Sequence, residues 1–216
     1  MSPESRSCRP ANAPSLVTVH QVATRLDVPE LTGPIREPTS WLGWLAEAFS
    51  STPQRFHHLL EVWQRAVDVR RADLPWLTPG MADRLELAAL LHDVGRAIDP
   101  GNSEPHGFVG ARFLGACGLD DVARLVAHHS GAQLEAAARG MTDLDRWITI
   151  EPDLLHVLTF LDRTTSPSGE RVSLAQRRDD IAVRYGANSR QLGIFDATLP
   201  DVHRAQTLLA RHAYAR

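Results

Sequence analysis

Apolar residues recur every three or four positions along most of this chain, and this spacing constrains the fold more than any other feature. The pattern begins near Pro38 and is clearest after Pro53, where the apolar positions are Phe56, Leu59, Leu60, Val62, Trp63, Ala66 and Val67. Such a spacing places the residues on one face of an α-helix. Nothing in the chain is typical of a strand. The sequence therefore predicts an all-α domain.

Capping residues, prolines and glycines indicate where the helices begin and end. The predicted helices are Trp41–Phe49, a helix after Pro53, Met81–Asp93, Gly107–Cys117, Leu119–His129, Leu134–Arg139, Pro152–Thr165, Leu174–Tyr185 and Pro200–Ala215.

Length and composition indicate one large domain behind a polar tail. At 216 residues, of which 43% are hydrophobic, the chain is long enough to bury a substantial core. Residues 1–15 contain three prolines and four serines without apolar periodicity, so we expect a disordered tail there. Residues 16–40 are expected to form an N-terminal extension, and residues 41–216 the helical domain with its C-terminal helices.

Charge argues against nucleic acid as a partner. The formal net charge is −3, and all 23 cationic residues are arginine, so no basic field covers the whole chain. Residues 18–28 resemble the first half of a helix-turn-helix, but Pro34 and Pro38 interrupt the place of a recognition helix. We expect a small-molecule partner, and a homodimer stays open.

The sequence favours a cytoplasmic location without a membrane partner. No apolar run approaches the roughly 18 residues of a membrane span, and the N-terminus lacks the apolar core of a signal peptide. Cys8 lies in the expected tail, so it is not expected to form a structural disulfide with Cys117.

A His-Asp pair follows the most apolar helical run of the chain. His92 and Asp93 come directly after residues 85–91, most of which have a buried pattern. A buried carboxylate is costly unless it is paired or bound to a metal. Imidazole and carboxylate are also the side chains that hold divalent metals. The pair therefore predicts a metal site inside the helical bundle.

Two other polar positions are expected to face the same interior. Arg55 and His58 are three residues apart and share a helix face, whereas His57 points about 100° away. Asp162 ends an apolar run and shares its face with Leu158, so its carboxylate should point inward.

These residues resemble the HD-domain superfamily of metal-dependent phosphohydrolases. In that family a His, a His-Asp pair and a distant Asp lie on an all-helical bundle; His58, His92-Asp93 and Asp162 match them in order. The segment Leu90-Leu91-His92-Asp93-Val94-Gly95-Arg96 is similar to the family's His-Asp-Ile-Gly-Lys segment, with Arg96 in the lysine position. The resemblance covers roughly residues 50–185 and implies a helical bundle with the metal site in its interior.

The resemblance also implies a cofactor of one or two divalent ions. His106 and the pair His128-His129 match the additional histidines of members that hold two metals. Manganese, iron, magnesium, cobalt, nickel and zinc are all open, as is the choice between His128 and His129. The implied metal ligands are His58, His92, Asp93, His106, His128, His129 and Asp162.

The implied reaction is hydrolysis of a phosphate ester of a nucleotide or other small phosphorylated metabolite by a metal-activated water. Asp93, shared by two ions, and Arg96 are the expected catalytic residues. Arg96 would offer paired N–H donors to phosphate, or it could instead pair with Asp99 or Glu104 and only fix the loop. Contacts to the substrate are expected from Arg55, Arg96, Arg163 and Thr165.

Two other functions stay open. Some HD-domain proteins resemble this chain in their ligands but hold two irons and activate oxygen; those that act on phosphonates carry a lysine soon after the fourth histidine. This chain has no lysine, and Ser130-Gly131-Ala132-Gln133 follows His129. A regulatory module that senses a nucleotide without turnover is the second alternative, although such a module need not keep every ligand.

Overall fold

The computed structural model describes residues 36–141 and 151–210, and these residues form helices with no strand. The all-α prediction is confirmed. A 3₁₀-helix, Pro38–Trp41, leads into the α-helices, and a second, His129–Gly131, lies between α6 and α7. The α-helices are α1 (Leu42–Ala48), α2 (Pro53–Arg71), α3 (Pro79–Leu91), α4 (Val94–Ile98), α5 (His106–Ala116), α6 (Asp120–His128), α7 (Ala132–Ala138), α8 (Pro152–Arg163), α9 (Leu174–Tyr185), α10 (Arg190–Ala197) and α11 (Leu199–Ala210).

Short-range signals in the sequence fix several of the helix starts. Pro53, Pro79 and Pro152 occupy the first turns of α2, α3 and α8, where a missing amide hydrogen removes no helical hydrogen bond. Ser173 and Gln176 bond reciprocally to each other's backbone amides and cap α9. Helix α9 consequently has the bounds that the sequence predicts.

Helix α3 lies at the centre of the bundle and leads to the His-Asp pair. It packs against α2, α6 and α8. Because it is surrounded, it is apolar on more than one face; its buried residues are Ala82, Leu85, Leu87, Ala88, Ala89, Leu90 and Leu91. The chain therefore reaches the interior of the bundle just before His92 and Asp93. No helix of the two described ranges is long and apolar enough to cross a membrane.

Helices α9 and α10 form a smaller layer with its own core. Ile181, Leu192 and Phe195 are buried against one another there, separate from the main core. Helix α10 also contacts the 3₁₀-helix at His129–Gly131. This second layer thus lies beside the part of the bundle in which His129 sits.

The structure differs from the sequence expectations at α4 and α10. No helix is predicted between Asp93 and Gly107, but the Asp99 amide donates to the Gly95 carbonyl at 2.9 Å and Val94–Ile98 forms α4. Helix α10 was not predicted. The expected tail at 1–15, and all of the extension at 16–40 except residues 36–40, lie outside the described residues.

Candidate metal centre

Six of the sequence-predicted ligands converge inside the bundle, and each comes from a different place in the fold. All are buried except His106, which is partly exposed. Within the described residues they form three overlapping groups, and the candidate ligand atoms of each group lie within 4.8 Å of one another. The six are His58 from α2, His92 after α3, Asp93 before α4, His106 at the start of α5, His129 of the 3₁₀-helix and Asp162 of α8.

One side of the cluster is built around His58. Its Nε2 atom lies 3.2 Å from His92 Nε2 and 3.1 Å from Asp162 Oδ1. His92 Nε2 in turn lies 3.7 Å from Asp162 Oδ1 and 4.0 Å from Asp93 Oδ2. Two imidazoles and two carboxylates therefore face one small volume.

The other side of the cluster is built around His106. Its Nε2 atom lies 3.0 Å from Asp93 Oδ1 and 3.2 Å from His129 Nε2. The two oxygens of Asp93 thus face different histidines, Oδ2 toward His92 and Oδ1 toward His106. Asp93 is the residue that the two sides share.

Backbone carbonyls orient three of the histidine rings. A carbonyl oxygen only accepts a hydrogen bond, so the ring hydrogen lies on Nδ1 and the Nε2 lone pair points into the cluster. The acceptors are Ser166 for His58, Ala89 for His92 and Val126 for His129, at 2.9, 2.8 and 2.7 Å.

The turn after α8 positions the acceptor for His58. The Ser166 amide donates to Glu170 O at 2.7 Å, and the Gly169 amide donates to Ser166 O at 3.0 Å. Thr165 and Arg171 flank this turn in an antiparallel bridge. This turn, which lies between the predicted helices Pro152–Thr165 and Leu174–Tyr185, therefore orients a proposed ligand.

Burial keeps the imidazoles of His92, His106 and His129 neutral near neutral pH. Desolvation lowers the pKa of His92, and it lowers the pKa values of His106 and His129 to about 4 each. His106 Nε2 faces both a donor and an acceptor, since Arg96 lies 3.4 Å and Asp93 Oδ1 lies 3.0 Å from it. His106 Nε2, His129 Nε2 and Asp93 Oδ1 lie close together, and a cation among these atoms would stabilise the arrangement.

Two arginines bind the carboxylate of Asp93. Arg55 donates to Oδ2 at 2.7 Å, and Arg96 Nε donates to Oδ1 at 2.9 Å. Burial alone would raise the pKa of Asp93, but the guanidinium charges of Arg96 and Arg55 outweigh it and hold that pKa well below its ordinary value. Asp99 instead accepts from Ser103 at 2.8 Å and Glu104 pairs with Arg112, so the alternative pairing of Arg96 with the loop is not realised.

Ser130, which the sequence reasoning missed, contacts Asp162. Its hydroxyl donates to Asp162 Oδ2, its amide donates to Thr159 Oγ1 at 3.1 Å, and its carbonyl accepts from Arg163 at 2.8 Å. Its φ of 53° lies in the left-handed region, which is uncommon for a residue other than glycine. The available signal was the Ser130-Gly131 pair directly after the histidines. The neighbouring His58 and Arg163 hold the pKa of Asp162 well below its usual range, although burial opposes this.

Two residues expected at the site lie elsewhere. His128, the last residue of α6, is in none of the three groups, whereas its neighbour His129 is in two of them. Thr165 is buried, donates to Leu161 O at 2.8 Å, and accepts from Arg65 at 3.0 Å. The structure thus gives Thr165 a backbone-fixing contact and does not place it at the cavity.

A cavity of about 200 Å³ opens beside the cluster. Asp93, His106 and Asp162 form part of its wall. Arginines dominate the rest, and those that line it are Arg55, Arg96, Arg139, Arg163, Arg177, Arg184 and Arg190. A small anion is the ligand that such a wall would attract.

The donor set fits a divalent metal ion. Imidazole nitrogen and carboxylate oxygen are the ligands that manganese, iron, zinc and related ions take from proteins. In three of the four histidines the ring hydrogen is already bonded to a carbonyl, as is usual for metal-binding histidines. With Asp93 shared, the two sides of the cluster offer donors for two ions.

The comparisons with known proteins agree with this centre. The model of the family described as HD domain matches residues 55–165, about half of the chain. A stretch of 50 residues is 46% identical to ribonuclease Y of Rubrobacter xylanophilus; it covers 22% of this chain and only 10% of that protein. No solved structure matches the chain. On the extent of the family match, this chain belongs to the HD domain family, which is generally one of metal-dependent phosphohydrolases.

Proposed function

We propose that this chain is a metal-dependent hydrolase that cleaves a phosphate ester of a nucleotide or another small phosphorylated metabolite. One observation carries the proposal: imidazole nitrogens and two carboxylates converge beside a cavity that arginines line. The imidazoles and carboxylates suit a divalent ion, and the arginines suit a phosphate. The proposed metal ligands are His58, His92, Asp93, His106, His129 and Asp162.

The chain's own groups prepare this site for the reaction. A divalent ion bound here would polarise the phosphoryl oxygens and lower the pKa of the attacking water. Asp93 stays ionised near neutral pH, so it acts as a ligand and a hydrogen-bond acceptor and not as an acid. The Nδ1 bonds of His58, His92 and His129 keep their Nε2 atoms free to bind the ion.

Arg96 is the proposed phosphate contact nearest the cluster. Its Nε bond to Asp93 fixes the guanidinium plane, and its terminal nitrogen lies 3.4 Å from His106 Nε2. A guanidinium that is already fixed can stabilise charge developing on phosphoryl oxygens without further reorganisation. Arg55 is held in the same way by the other oxygen of Asp93. Arg163 also lines the cavity, whereas Thr165 is not part of the proposal.

The test combines metal analysis with phosphate release. Freshly purified protein should contain one or two divalent ions, and it should release phosphate from nucleotides or phosphomonoesters with Mn²⁺ or a related ion. His58→Ala should lose both metal and activity, whereas His57→Ala, which removes the exposed neighbouring side chain, should lose neither. A metal-free protein, or equal activity in both variants, would contradict the proposal.

A short RNA belongs in the same substrate panel. Ribonuclease Y carries a similar stretch, but this chain spans about a tenth of that protein. The cavity of about 200 Å³ is of a size for a small ligand. We therefore expect faster turnover of a small phosphate ester than of RNA. Faster turnover of RNA would instead indicate that RNA is the substrate.

A further inference from the structure

The second layer, α9 and α10, supplies a cationic wall to the cavity. Both helices lie after the region matched by the family model, which ends at residue 165. They are joined to each other by their own small core. Nevertheless Arg177 and Arg184 of α9 and Arg190 of α10 all line the cavity that Asp93 and Asp162 also line.

These three arginines are poorly neutralised. Arg177 donates to Asp180 at 2.9 Å, and Arg184 donates to the same carboxylate. Arg190 has no hydrogen bond or ion pair with another described residue, and it is exposed. The three guanidinium groups therefore have one carboxylate partner, Asp180, and it pairs with only two of them. Among the described residues of the cavity wall, the acid outside the cluster is Glu135, which is paired with Arg139.

Two buried guanidinium nitrogens also lack a partner. The Nε atoms of Arg163 and Arg177 are buried without a hydrogen-bond partner among the described residues. Arg163 is held by the Ser130 carbonyl at 2.8 Å and by the ring of Phe195, which lies 5.1 Å from its guanidinium carbon. A buried donor without a partner is costly, and both side chains line the cavity, so a ligand acceptor that reached either Nε atom would lower this cost.

We infer that Arg177, Arg184 and Arg190 bind a second phosphoryl group of the substrate, away from the ester that is cleaved. The inference rests on the proposed function and narrows it to substrates with two phosphoryl groups. A carboxylate carries one negative charge, whereas a terminal phosphate carries about two and presents three oxygens to several guanidinium groups. The excess of arginine in this wall therefore matches phosphate better than carboxylate.

The test compares ligands that differ by one phosphate. The pairs are adenosine 5′-monophosphate with adenosine 3′,5′-bisphosphate, and fructose 6-phosphate with fructose 1,6-bisphosphate. Metal-loaded full-length protein is titrated with each by calorimetry, and KM replaces Kd where the ligand is hydrolysed. We expect at least one bisphosphate to bind about tenfold or more tightly than its monophosphate, since paired charge-assisted bonds are strong.

Three variants separate the subsite from the fold. Arg190→Gln changes an exposed side chain and should fold normally, and Arg177→Gln removes the buried donor. In both variants the ratio of the dissociation constants, monophosphate over bisphosphate, should fall toward one. Arg178→Gln is the matched control, because Arg178 lies on the same helix, pairs with Asp196 and is not in the cavity wall. It should keep the full preference.

The outcomes distinguish this inference from the proposed function. No preference for either bisphosphate in the wild type, or the same preference in Arg190→Gln, would overturn the subsite even if phosphate esters are hydrolysed. A preference that depends on Arg177 and Arg190 in a protein that releases no phosphate would support the subsite and overturn hydrolysis.

Discussion

Replacing Gly95 with alanine should force apart α4, which follows Asp93, and α5, which begins at His106. Gly95 lies in α4, two residues after Asp93, where α4 meets α5. A Cβ atom at this position would lie 2.0 Å from the carbonyl oxygen of His106 and 2.7 Å from the amide nitrogen of Gly110. Both are backbone atoms of α5, so no side-chain rotation can make room.

The size of the effect follows from these distances. Ordinary contact begins near 3.4 Å, so α4 and α5 must separate by about 1.4 Å. Overpacking lowers the free energy of unfolding by about 1–3 kcal/mol, and a clash with backbone atoms belongs at the upper end of this range. For a domain of this size, about 3 kcal/mol lowers the melting temperature by roughly 6–12 °C. The same movement widens the 3.0 Å approach of Asp93 to His106, so bound metal should fall as well.

Thermal unfolding and metal content measure both effects. Gly43→Ala is the matched control, because Gly43 is exposed in α1 and a Cβ there meets nothing within 4 Å. Alanine is the better helix former by about 1 kcal/mol, so this control should melt at or slightly above the wild-type temperature. If Gly95→Ala melts within about 2 °C of wild type, a change below 1 kcal/mol, and keeps its metal, the packing argument is refuted.

The other predictions concern the cluster itself. Asp93→Ala should abolish phosphate release and lower bound metal to near zero by elemental analysis; near-normal metal would remove Asp93 from the ligand set. His106→Ala should lose one ion preferentially, so an unchanged stoichiometry of two would contradict its role. Arg96→Ala should lower kcat/KM roughly 30- to 1,000-fold in steady-state assays, which corresponds to a loss of about 2–4 kcal/mol of transition-state stabilisation. Unchanged turnover would refute the phosphate contact. In metal-free protein His106 and His129 have pKa values near 4, below the ordinary 6.5. Their contribution to the free energy of unfolding should therefore be complete above pH 6.5 and be lost as the pH falls toward 4. Urea unfolding at several pH values measures this, and a free energy of unfolding that does not change with pH would contradict it.

The sequence predicted those helices whose boundaries depend on local chemistry. Helix α9 is capped by Ser173 and Gln176, and its predicted bounds are correct. Helix α10 was missed because its burial is local to the second layer, where Leu192 and Phe195 pack against Ile181. A pattern of two buried positions in eight residues is too short to indicate a helix. The contacts of α10 with α9 bury these two residues, and a local pattern does not contain such contacts.

The candidate site shows the same division between local and tertiary information. His92, Asp93 and Asp162 could be singled out because these polar residues come at the ends of apolar helical runs. Arg96 could be placed near the pair, but its actual partner, Asp93, became clear only from the geometry. The contact of Ser130 with Asp162 joins residues 32 positions apart, and the sequence contains no periodic signal for it.

The choice between His128 and His129 shows why periodicity stops at a helix end. Helix α6 ends at His128, and His129 has ψ of 148°, so helical facing no longer determines where its ring points. The following turn determines it, through Ser130 and through Gly131, whose φ is +77° and whose Cβ, if present, would lie 2.8 Å from Ile194 of α10. The second layer therefore packs directly against the turn that positions His129. A larger residue at position 131 would clash with Ile194 and shift the turn, and the proposed ligand His129 would move with it. Ile194 lies on α10, outside the region that the family model matches.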